Sequence, residues 1–236
     1  MGCANMPKSK INLPFFTVSP KSYLVGENLL ELALLTDKYA KEHEVTIFFS
    51  APPTELNNIV QHTNHVIVTA QAADGSGLGR GMGRTLMEGL KELGVKATFL
   101  NHMENQLSLK ELCQAISSAK KAGIITIVCA NSTDEARAIA ILDPDIVLCE
   151  PDDLVGTGKT SPDSYIFETL NAVREVNKNI LIMEGAGITC GDDVRRLIKL
   201  GAQGTGISSK LALTEHKEAL LKDLFSALSE SKSLIS

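Results

Sequence analysis

Tryptophan is absent from this sequence of 236 residues, and all aromatic side chains together make up only 4% of it. Aliphatic side chains must therefore fill the interior, and 44% of the residues are hydrophobic. This much apolar surface suffices for a sizeable core, so folding needs no disulfide or metal ion. A core of Ala, Val, Ile and Leu is typical of parallel strands that are buried on both faces.

Cysteine is scarce, and the five cysteines (Cys3, Cys113, Cys129, Cys149 and Cys190) are odd in number and show no CxxC spacing. This pattern argues against a disulfide framework and favours a reducing compartment. No run approaches the roughly 18 apolar residues that span a bilayer, and residues 1–10 lack the apolar stretch of a signal peptide. We therefore predict a soluble, cytoplasmic protein without a membrane partner.

An excess of positive charge is also missing, because the net charge is −5. This balance argues against nucleic acid as the main partner, and an anionic substrate would have to bind through a local arrangement. No pair of histidines has the spacing of metal ligands, so we expect no metal site.

What the sequence does contain is a regular alternation of two kinds of segment. Short runs rich in β-branched residues predict strands over 13–18, 45–49, 65–70, 96–101, 124–129, 146–150, 180–184 and 204–208. Amphipathic segments predict helices over 27–40, 53–60, 83–93, 108–122, 133–142, 164–176, 192–200 and 214–228. Ser108 with Glu111, and Ser132 ahead of two acidic residues, are typical helix starts.

Eight strands alternating with eight helices predict an α/β fold, a closed parallel (β/α)8 barrel, because right-handed crossovers curl the sheet on itself. Counting alone leaves an open doubly wound sheet possible. Nothing suggests a second domain, so we predict one domain over residues 1–236 with a core at about 12–228. Residues 1–10 and 229–236 are weakly patterned, and we expect both ends to fray.

In such a barrel the functional side chains gather at the carboxyl ends of the strands. Polar or glycine-rich residues follow six of the predicted strands: Lys21, Gln71, Asp74, Asn101, His102, Glu150, Gly185 to Gly187, Ser208 and Ser209. We therefore expect these residues to converge in space although they are far apart in the chain.

Glu150 ends an apolar run and precedes Pro151. A carboxylate at the lip of a barrel can have its pKa raised by partial burial, which makes it a usable general base. Taken alone, it could equally be an ordinary solvent-exposed glutamate at the start of a loop. The loop that follows has a glycine-rich tip, Gly156-Thr157-Gly158, which could close over a ligand and hold a phosphate on its N–H groups.

Two further side chains could act on a substrate. His102 follows a strand and precedes a helix, where a helix dipole would favour the neutral imidazole, which still donates one hydrogen bond. Lys21 at the barrel mouth could attract an anion and stabilise negative charge on its oxygen. Each has an ordinary alternative, namely a capping or buried histidine and a solvated surface lysine.

Glycine-rich turns follow strands seven and eight. The stretch GAGITCG, with Gly187 and Thr189, and the stretch GTGISS, with Ser208 and Ser209, could bind an anion on backbone N–H groups. Glycine-rich turns can also simply let the chain bend. The glycines of residues 75–83 lack dinucleotide-fingerprint spacing and predict a flexible or subunit-contact loop.

The order of Lys21, NHMEN, CEPDDLVGTG and GAGITCGDD resembles the triosephosphate isomerase family, particularly its short archaeal form. The resemblance runs from about residue 13 to residue 228. It implies a TIM barrel that interconverts dihydroxyacetone phosphate and glyceraldehyde 3-phosphate through an enediol, without metal or organic cofactor. It also implies a homo-oligomer, a dimer or a tetramer.

By position, the resemblance implies a role for each motif residue. Glu150 matches the family's base, His102 its electrophile, and Lys21 its substrate-binding cation, while Glu104 matches a buried acid and Asn101 precedes the histidine. The residues that match lid or phosphate and substrate contacts are Ser19, Gly156, Thr157, Gly158, Gly187, Thr189, Ser208 and Ser209.

Several residues depart from the family pattern and predict an altered pocket wall. Ser19 and Pro20 replace the usual Asn and the residue after it, and Met103 replaces Ser. Gly81-Met82 stands in the subunit-contact loop, and Lys210 stands where the archaeal pattern has Gly. Two alternatives therefore stay open: a paralogue that isomerises another short aldose or ketose phosphate, and a non-catalytic protein that binds sugar phosphates.

Overall fold

Eight parallel strands form a closed barrel in the computed structural model, which describes residues 11–151, 160–185 and 187–235. Neighbours in the barrel are also neighbours in the chain, and β1 closes the ring by pairing with β8. The strands are β1 Phe15–Val18, β2 Thr46–Ala51, β3 Ile67–Ala70, β4 Ala97–Leu100, β5 Ile125–Ala130, β6 Ile146–Cys149, β7 Leu181–Glu184 and β8 Gly204–Ile207. The predicted barrel is confirmed, and the closure rules out an open sheet.

Helices ring the barrel, one after each strand, with one addition. They are α1 Gly26–Glu42, α2 Leu56–His62, α3 Met87–Leu93, α4 Leu109–Ala122, α5 Thr133–Ile141, α6 Asp163–Val176, α7 Gly191–Lys199, α8 Ser209–Leu213 and α9 Lys217–Glu230. The short α8 was not predicted, because five residues are too few to show a helical period. None of the helices described is long and apolar enough to cross a membrane.

The predicted helix starts at α4 and α5 are confirmed. Ser108 accepts a hydrogen bond from the N–H of Glu111, whose side chain returns to the Ser108 backbone in a capping box. Ser132 caps α5 by accepting from the N–H of Glu135. Both caps satisfy N–H groups that have no partner inside the helix.

Helices α2 and α9 each begin three residues later than predicted, and two further predictions are wrong. Helix α3 begins at Met87 and not at residue 83, because Gly83 adopts a left-handed φ of 80° and Leu86 forms a bridge with Asp74. The C-terminal segment does not fray, since α9 continues into a 3-10 helix, Ser231–Leu234. That turn is held by Lys232, which donates to the carbonyl of Glu44, and by Ser231, which is buried.

Inward-facing side chains fill the barrel, and a second apolar layer lies between strands and helices. The inner cluster consists of Phe15, Phe48, Ala97, Phe99, Ile127, Cys129, Ile146, Leu148 and Met183. Strand β8 contributes glycines to the interior instead. A Cβ on Gly204 would lie 2.6 Å from Phe15 Cδ2, so the Phe15 ring occupies the space that a side chain at position 204 would need.

A Gly204→Ala substitution is expected to lower the free energy of unfolding by about 1–3 kcal/mol, because the new methyl group overpacks a filled interior. Gly89→Ala is the matched control. Its Cβ would meet nothing within 4 Å, and Ala is favoured over Gly in a helix by up to about 1 kcal/mol. Urea denaturation of both variants checks the expectation, and equal stability of the two would contradict it.

Candidate active site

A cavity of about 730 Å³ opens at the carboxyl ends of the strands. The structure places most of the predicted site residues on its wall: Ser19, Lys21, His102, Glu104, Glu150, Gly187, Thr189, Ser208 and Ser209. Asn101 lies behind this wall, and Gly156, Thr157 and Gly158 lie outside the described residues. Residues from β1, β4, β6, β7 and β8 thus meet in one place, as expected for a parallel barrel.

Lys21 follows β1 in a left-handed backbone conformation, with φ of 48°. Few residues other than glycine adopt this conformation without strain, and such positions cluster at functional sites. The conformation is held by Gln71, whose amide Nε2 donates to the Lys21 carbonyl at 3.0 Å. The Lys21 ammonium in turn reaches Glu104 Oε1 at 2.8 Å across the cavity mouth.

Asn101 fixes the end of β4 and therefore the position of His102. It is buried and left-handed, with φ of 58°. Its amide nitrogen donates to the Cys129 carbonyl at 3.1 Å, and its Oδ1 accepts from the N–H of Leu107 at 3.1 Å. The supporting role predicted for Asn101 thus has a physical basis in contacts to two neighbouring segments.

The ring nitrogen Nδ1 of His102 accepts a hydrogen bond. The backbone N–H of Glu104 points at His102 Nδ1 at 3.1 Å, and because an N–H can only donate, Nδ1 must carry a lone pair. In the neutral ring the proton then sits on Nε2. This arrangement leaves Nε2 as the nitrogen that can donate a hydrogen bond to a ligand.

The expectation that a helix dipole acts on His102 is wrong, because the helix that follows begins near residue 108, as predicted, and not beside the histidine. A turn follows instead, closed by the N–H of Asn105 donating to the His102 carbonyl at 2.7 Å, and α4 begins only at Leu109. The helix dipole therefore does not act on His102 from the adjacent residue. The bond from Glu104 to Nδ1 selects the tautomer in its place.

Glu104 is not the buried acid that the family resemblance implied. Its side chain is 60% exposed, since it lies in the turn after His102 at the cavity rim. The hydrogen bond from Lys21 lowers the pKa of Glu104, and the positive charge of Lys21 adds to this effect. Glu104 is therefore the ionised partner of Lys21 at the mouth of the cavity.

Glu150 stands directly after β6, half-buried, with its backbone N–H donating to the Ala130 carbonyl at 3.0 Å. Its side chain packs against the backbone of Gly185, where an added Cβ would lie 3.1 Å from both Cβ and Cδ of Glu150. Only a glycine at position 185 leaves the carboxylate this room. Gly185 therefore leaves space beside the cavity for the Glu150 side chain.

Cys129, in the apolar cluster inside the barrel and close to Glu150, was not predicted as a site residue. Burial chiefly, and then the charge of Glu150, raise the pKa of the Cys129 thiol, so that it stays protonated. Its inward position in β5 could have been inferred from strand alternation. The proximity to Glu150 could not, because it depends on how β5 and β6 pair.

The end of the cavity near β7 and β8 contains Gly187, Thr189, Ser208 and Ser209, which were predicted as phosphate contacts. Thr189 differs from the others, because its N–H and its hydroxyl both donate to Asp193 Oδ2, at 2.8 and 2.9 Å. Ser208 Oγ is buried and has no hydrogen-bond partner among the residues that the structure describes. Ser208 is thus better placed than Thr189 to donate to a ligand.

The departures from the family pattern affect the cavity unequally. Ser19 lines it, with its hydroxyl 2.8 Å from that of Ser50, and Lys210 lines it as well. Met103 and Pro20 are not among the lining residues, so the expectation that they alter the pocket wall is wrong. Met103 lies in the turn after His102, which leaves its side chain away from the cavity. Met82 is fully exposed on the glycine-rich loop.

Within residues 11–151, 160–185 and 187–235, no three His, Cys, Asp or Glu side chains lie close enough to hold a metal ion.

Comparison with known proteins gives a consistent result. A model of the family described as triosephosphate isomerase matches residues 21–224. The triosephosphate isomerase of Methanocaldococcus jannaschii is 34% identical over 204 residues, which cover 85% of this chain and 92% of that protein. The enzyme of Methanopyrus kandleri is 34% identical over 225 residues, covering 92% and 99%. That of Methanothermus fervidus is 30% identical over 221 residues, covering 91% and 99%.

Proposed function

This chain belongs to the triosephosphate isomerase family, and from that membership we propose that it interconverts dihydroxyacetone phosphate and D-glyceraldehyde 3-phosphate through an enediol. In this proposal Glu150 is the general base, His102 the neutral electrophile and Lys21 the substrate-binding cation. The observation that carries it is the meeting of these three side chains on one cavity wall, from the ends of β6, β4 and β1.

The proposed role of Glu150 follows from its position at the cavity wall. Isomerisation moves a proton between two adjacent carbons, so one carboxylate on one face of the substrate can remove it from the first and return it to the second. The Glu150 backbone is anchored through its N–H on the Ala130 carbonyl at 3.0 Å, which holds the residue at the cavity wall. A base held in place avoids the entropy cost of finding its substrate carbon.

His102 would polarise the substrate carbonyl while staying neutral. Its Nδ1 accepts from the Glu104 N–H, so the proton of the neutral ring sits on Nε2, and in this proposal Nε2 donates a hydrogen bond to the carbonyl or enediol oxygen. A neutral imidazole is a much weaker acid than an imidazolium. The pKa at which it loses a proton is therefore closer to the pKa of an enediol. Hydrogen bonding can therefore strengthen as negative charge develops on the oxygen.

We expect His102→Gln to lower kcat about 10²-fold, with a smaller change in KM, because the amide cannot donate from the position of Nε2 with the same geometry. Steady-state kinetics on glyceraldehyde 3-phosphate measure both constants. His216→Gln serves as the control, since His216 lies outside the cavity lining. Equal activity of the two variants would argue against an electrophilic role for His102.

Lys21 would exchange one partner for another when substrate binds. Its ammonium is held by Glu104 at 2.8 Å, and only 21% of the Lys21 side chain is exposed. The bridge keeps the cation at the cavity mouth, where it can attract a phosphate and offset charge on the enediol oxygen. Gly156, Thr157 and Gly158 complete the proposal as lid and phosphate contacts, on the strength of the family resemblance.

A second candidate function is supported by Ser19 and Lys210. Both line the cavity and both differ from the family pattern, so the protein could isomerise another short aldose or ketose phosphate instead of a triose. The catalytic trio would serve the same chemistry on a longer substrate. Binding without turnover is the third possibility that an assay has to separate.

A coupled isomerisation assay separates these possibilities. Turnover of dihydroxyacetone phosphate and glyceraldehyde 3-phosphate supports the proposed function. If triose phosphates are not turned over but a tetrose or pentose phosphate is, the second candidate function is selected. Binding of these sugar phosphates with no turnover of any of them would overturn the enzymatic proposal.

We also propose that the protein works in the cytoplasm as a homo-oligomer, either a dimer or a tetramer. Support for assembly comes from the glycine-rich loop, on which Leu78 and Met82 are largely exposed. Exposed apolar side chains on one loop favour burial against another surface. Sedimentation equilibrium tests the assembly, and a single species with the mass of one chain would refute it.

A further inference from the structure

The cavity wall contains a second cation, Lys210, that the proposed function does not use. Among the described residues that line the cavity, the cations are Lys21 and Lys210. Lys210 lies on α8, directly after Ser208 and Ser209, at the end of the cavity that β7 and β8 form. The two lysines therefore mark two positions at which negative charge on a ligand is favoured.

The two cations differ in their partners. Lys21 is held by Glu104 at 2.8 Å. Lys210 forms no salt bridge with any carboxylate in the described part of the chain, and its side chain is exposed. The charge of Lys210 is thus not held in a salt bridge by a described acid, and an anion in the cavity would be attracted to it.

The loops that carry the two lysines are tied together. The N–H of Ser19 donates to the Ile207 carbonyl at 2.9 Å, which joins the end of β1 to the end of β8. In an eight-stranded ring, β4 and β6, which carry His102 and Glu150, lie away from this side. The Lys21 ammonium reaches across to Glu104 beside His102, whereas Lys210 lies on the side of the cavity that β8 and β1 form.

Ser208 adds a polar group on the side of Lys210. Its Oγ is buried without a hydrogen-bond partner among the residues described, and Ser208 lines the cavity. A buried hydroxyl without a hydrogen-bond partner is destabilising, so a ligand oxygen that bonds to it would be stabilising. The lysine and the serine together present an ammonium and a hydroxyl, which suit a phosphate dianion.

We propose that Lys210 is a specificity-determining residue that binds the phosphate group of the substrate and makes the site selective for dianionic head groups. The inference rests on the proposed function, because it takes the substrate to be a sugar phosphate. Binding at Lys210 places the phosphate on the side of β8 and β1, so that the carbon chain extends towards Glu150 and His102. The lysine would act through affinity and orientation, and not through proton transfer.

Inorganic phosphate is the direct probe of this proposal. Its dissociation constant is to be measured by NMR chemical-shift titration for the wild type, Lys210→Met and Lys210→Arg at low and high ionic strength. Loss of the charge is expected to weaken phosphate binding about tenfold at low salt and less at high salt, where exposed charges are screened. Arg keeps the charge and should stay within about threefold of the wild type.

Lys199→Met is the matched control, because Lys199 is an exposed lysine of α7 that does not line the cavity. It removes the same charge from the protein, so a field effect of net charge would lower phosphate affinity in both variants alike. Unchanged binding in Lys210→Met, or equal weakening in Lys199→Met, would overturn the proposal.

Steady-state kinetics distinguish a failure of the Lys210 proposal from a failure of the proposed isomerase function. If trioses are turned over, Lys210→Met should raise KM about tenfold and change kcat by less than threefold, whereas a merely structural lysine would move neither constant selectively. If no sugar phosphate is turned over, the proposed function fails, and the phosphate titration still decides the role of Lys210.

Discussion

Replacing Glu150 with Gln is expected to lower kcat for triose phosphate isomerisation about 10³- to 10⁴-fold, because the amide cannot accept the substrate proton. Gln has nearly the shape of Glu and should keep the packing against Gly185. Binding contacts elsewhere in the cavity are unchanged, so KM should stay within a few-fold of the wild type. A coupled assay under steady-state conditions measures both constants.

Glu150→Asp tests the position of the base separately from its chemistry. Asp retains the carboxylate but is one methylene shorter, so it withdraws from the substrate carbon, and we expect a loss of about 10²-fold. Glu168→Gln, at an exposed position of α6, removes a carboxylate outside the cavity and should have wild-type kinetics. Near-normal turnover by Glu150→Gln would remove Glu150 from the mechanism.

A large effect of pH on the free energy of unfolding is expected from Glu184. It is the last residue of β7, and its side chain is fully buried. Its Oε1 accepts from the Thr169 hydroxyl at 2.7 Å, and its Oε2 has no hydrogen-bond partner within the described residues. Burial raises the pKa of Glu184 to about 8, and the hydrogen bond from Thr169 opposes this only in part. The carboxyl group is therefore largely protonated at neutral pH.

This raised pKa makes the stability of the protein depend on pH. In the unfolded chain the pKa of Glu184 is near its ordinary value of 4.5, whereas in the folded state burial raises it to about 8. The folded state thus binds more protons between these values, so stability falls as pH rises from about 4.5 to 8 and then levels off. The full change is on the order of 5 kcal/mol.

Glu184→Gln should remove this dependence. At pH 5 the variant and the wild type are expected to agree within about 1 kcal/mol in their free energies of unfolding, since both side chains are neutral there. At pH 9 the variant should be more stable by about 3 kcal/mol or more. Urea denaturation from pH 5 to pH 9 measures the difference between the two proteins.

The thiol of Cys149, which neighbours Glu184, does not lose its proton in the pH range over which Glu184 titrates. Cys149 lies opposite Glu184 in the β6–β7 pairing, and burial, followed by the charge of Glu184, raises its pKa well above the ordinary value. Glu168→Gln serves again as the control, because an exposed glutamate should show no such pH dependence. Parallel stability curves for the wild type and Glu184→Gln would mean that Glu184 is ionised in the folded protein at neutral pH.

Much of this fold could be predicted from the sequence, because buried parallel strands and amphipathic helices leave different periods in the chain. All eight strands lie where the β-branched runs predicted them. Closure was the preferred prediction but could not be decided by counting, since it depends on the pairing of β1 with β8. Helix α8 and the 3-10 turn after α9 escaped prediction, because each is too short for a periodic signal.

The candidate site could be predicted less completely. Lys21, His102 and Glu150 stand at strand ends, where the barrel rule and the family resemblance both direct attention. Three features of the site depend on loop conformation, which no periodicity encodes. They are the exposure of Glu104, the hydrogen bonds from Thr189 to Asp193, and the position of Met103 away from the cavity.

The burial of Glu184 could have been predicted from the sequence. In a strand of a closed barrel, alternate residues face the interior and the helices, and both faces are buried. A glutamate at the end of β7 must therefore lie inside the protein on one face or the other. Strand alternation alone would have predicted a buried carboxyl group at this position, although not its pKa.

The role of Glu150 as the base of an enediol reaction is tested most directly by isomerising glyceraldehyde 3-phosphate in D2O and following the product by proton NMR. A carboxylate that removes and returns the proton exchanges it with solvent, so a substantial fraction of the dihydroxyacetone phosphate should carry deuterium at C1. Glu150→Gln should abolish both turnover and label on the same timescale. Product that forms without deuterium, or label that appears at the wild-type rate in Glu150→Gln, would contradict the mechanism.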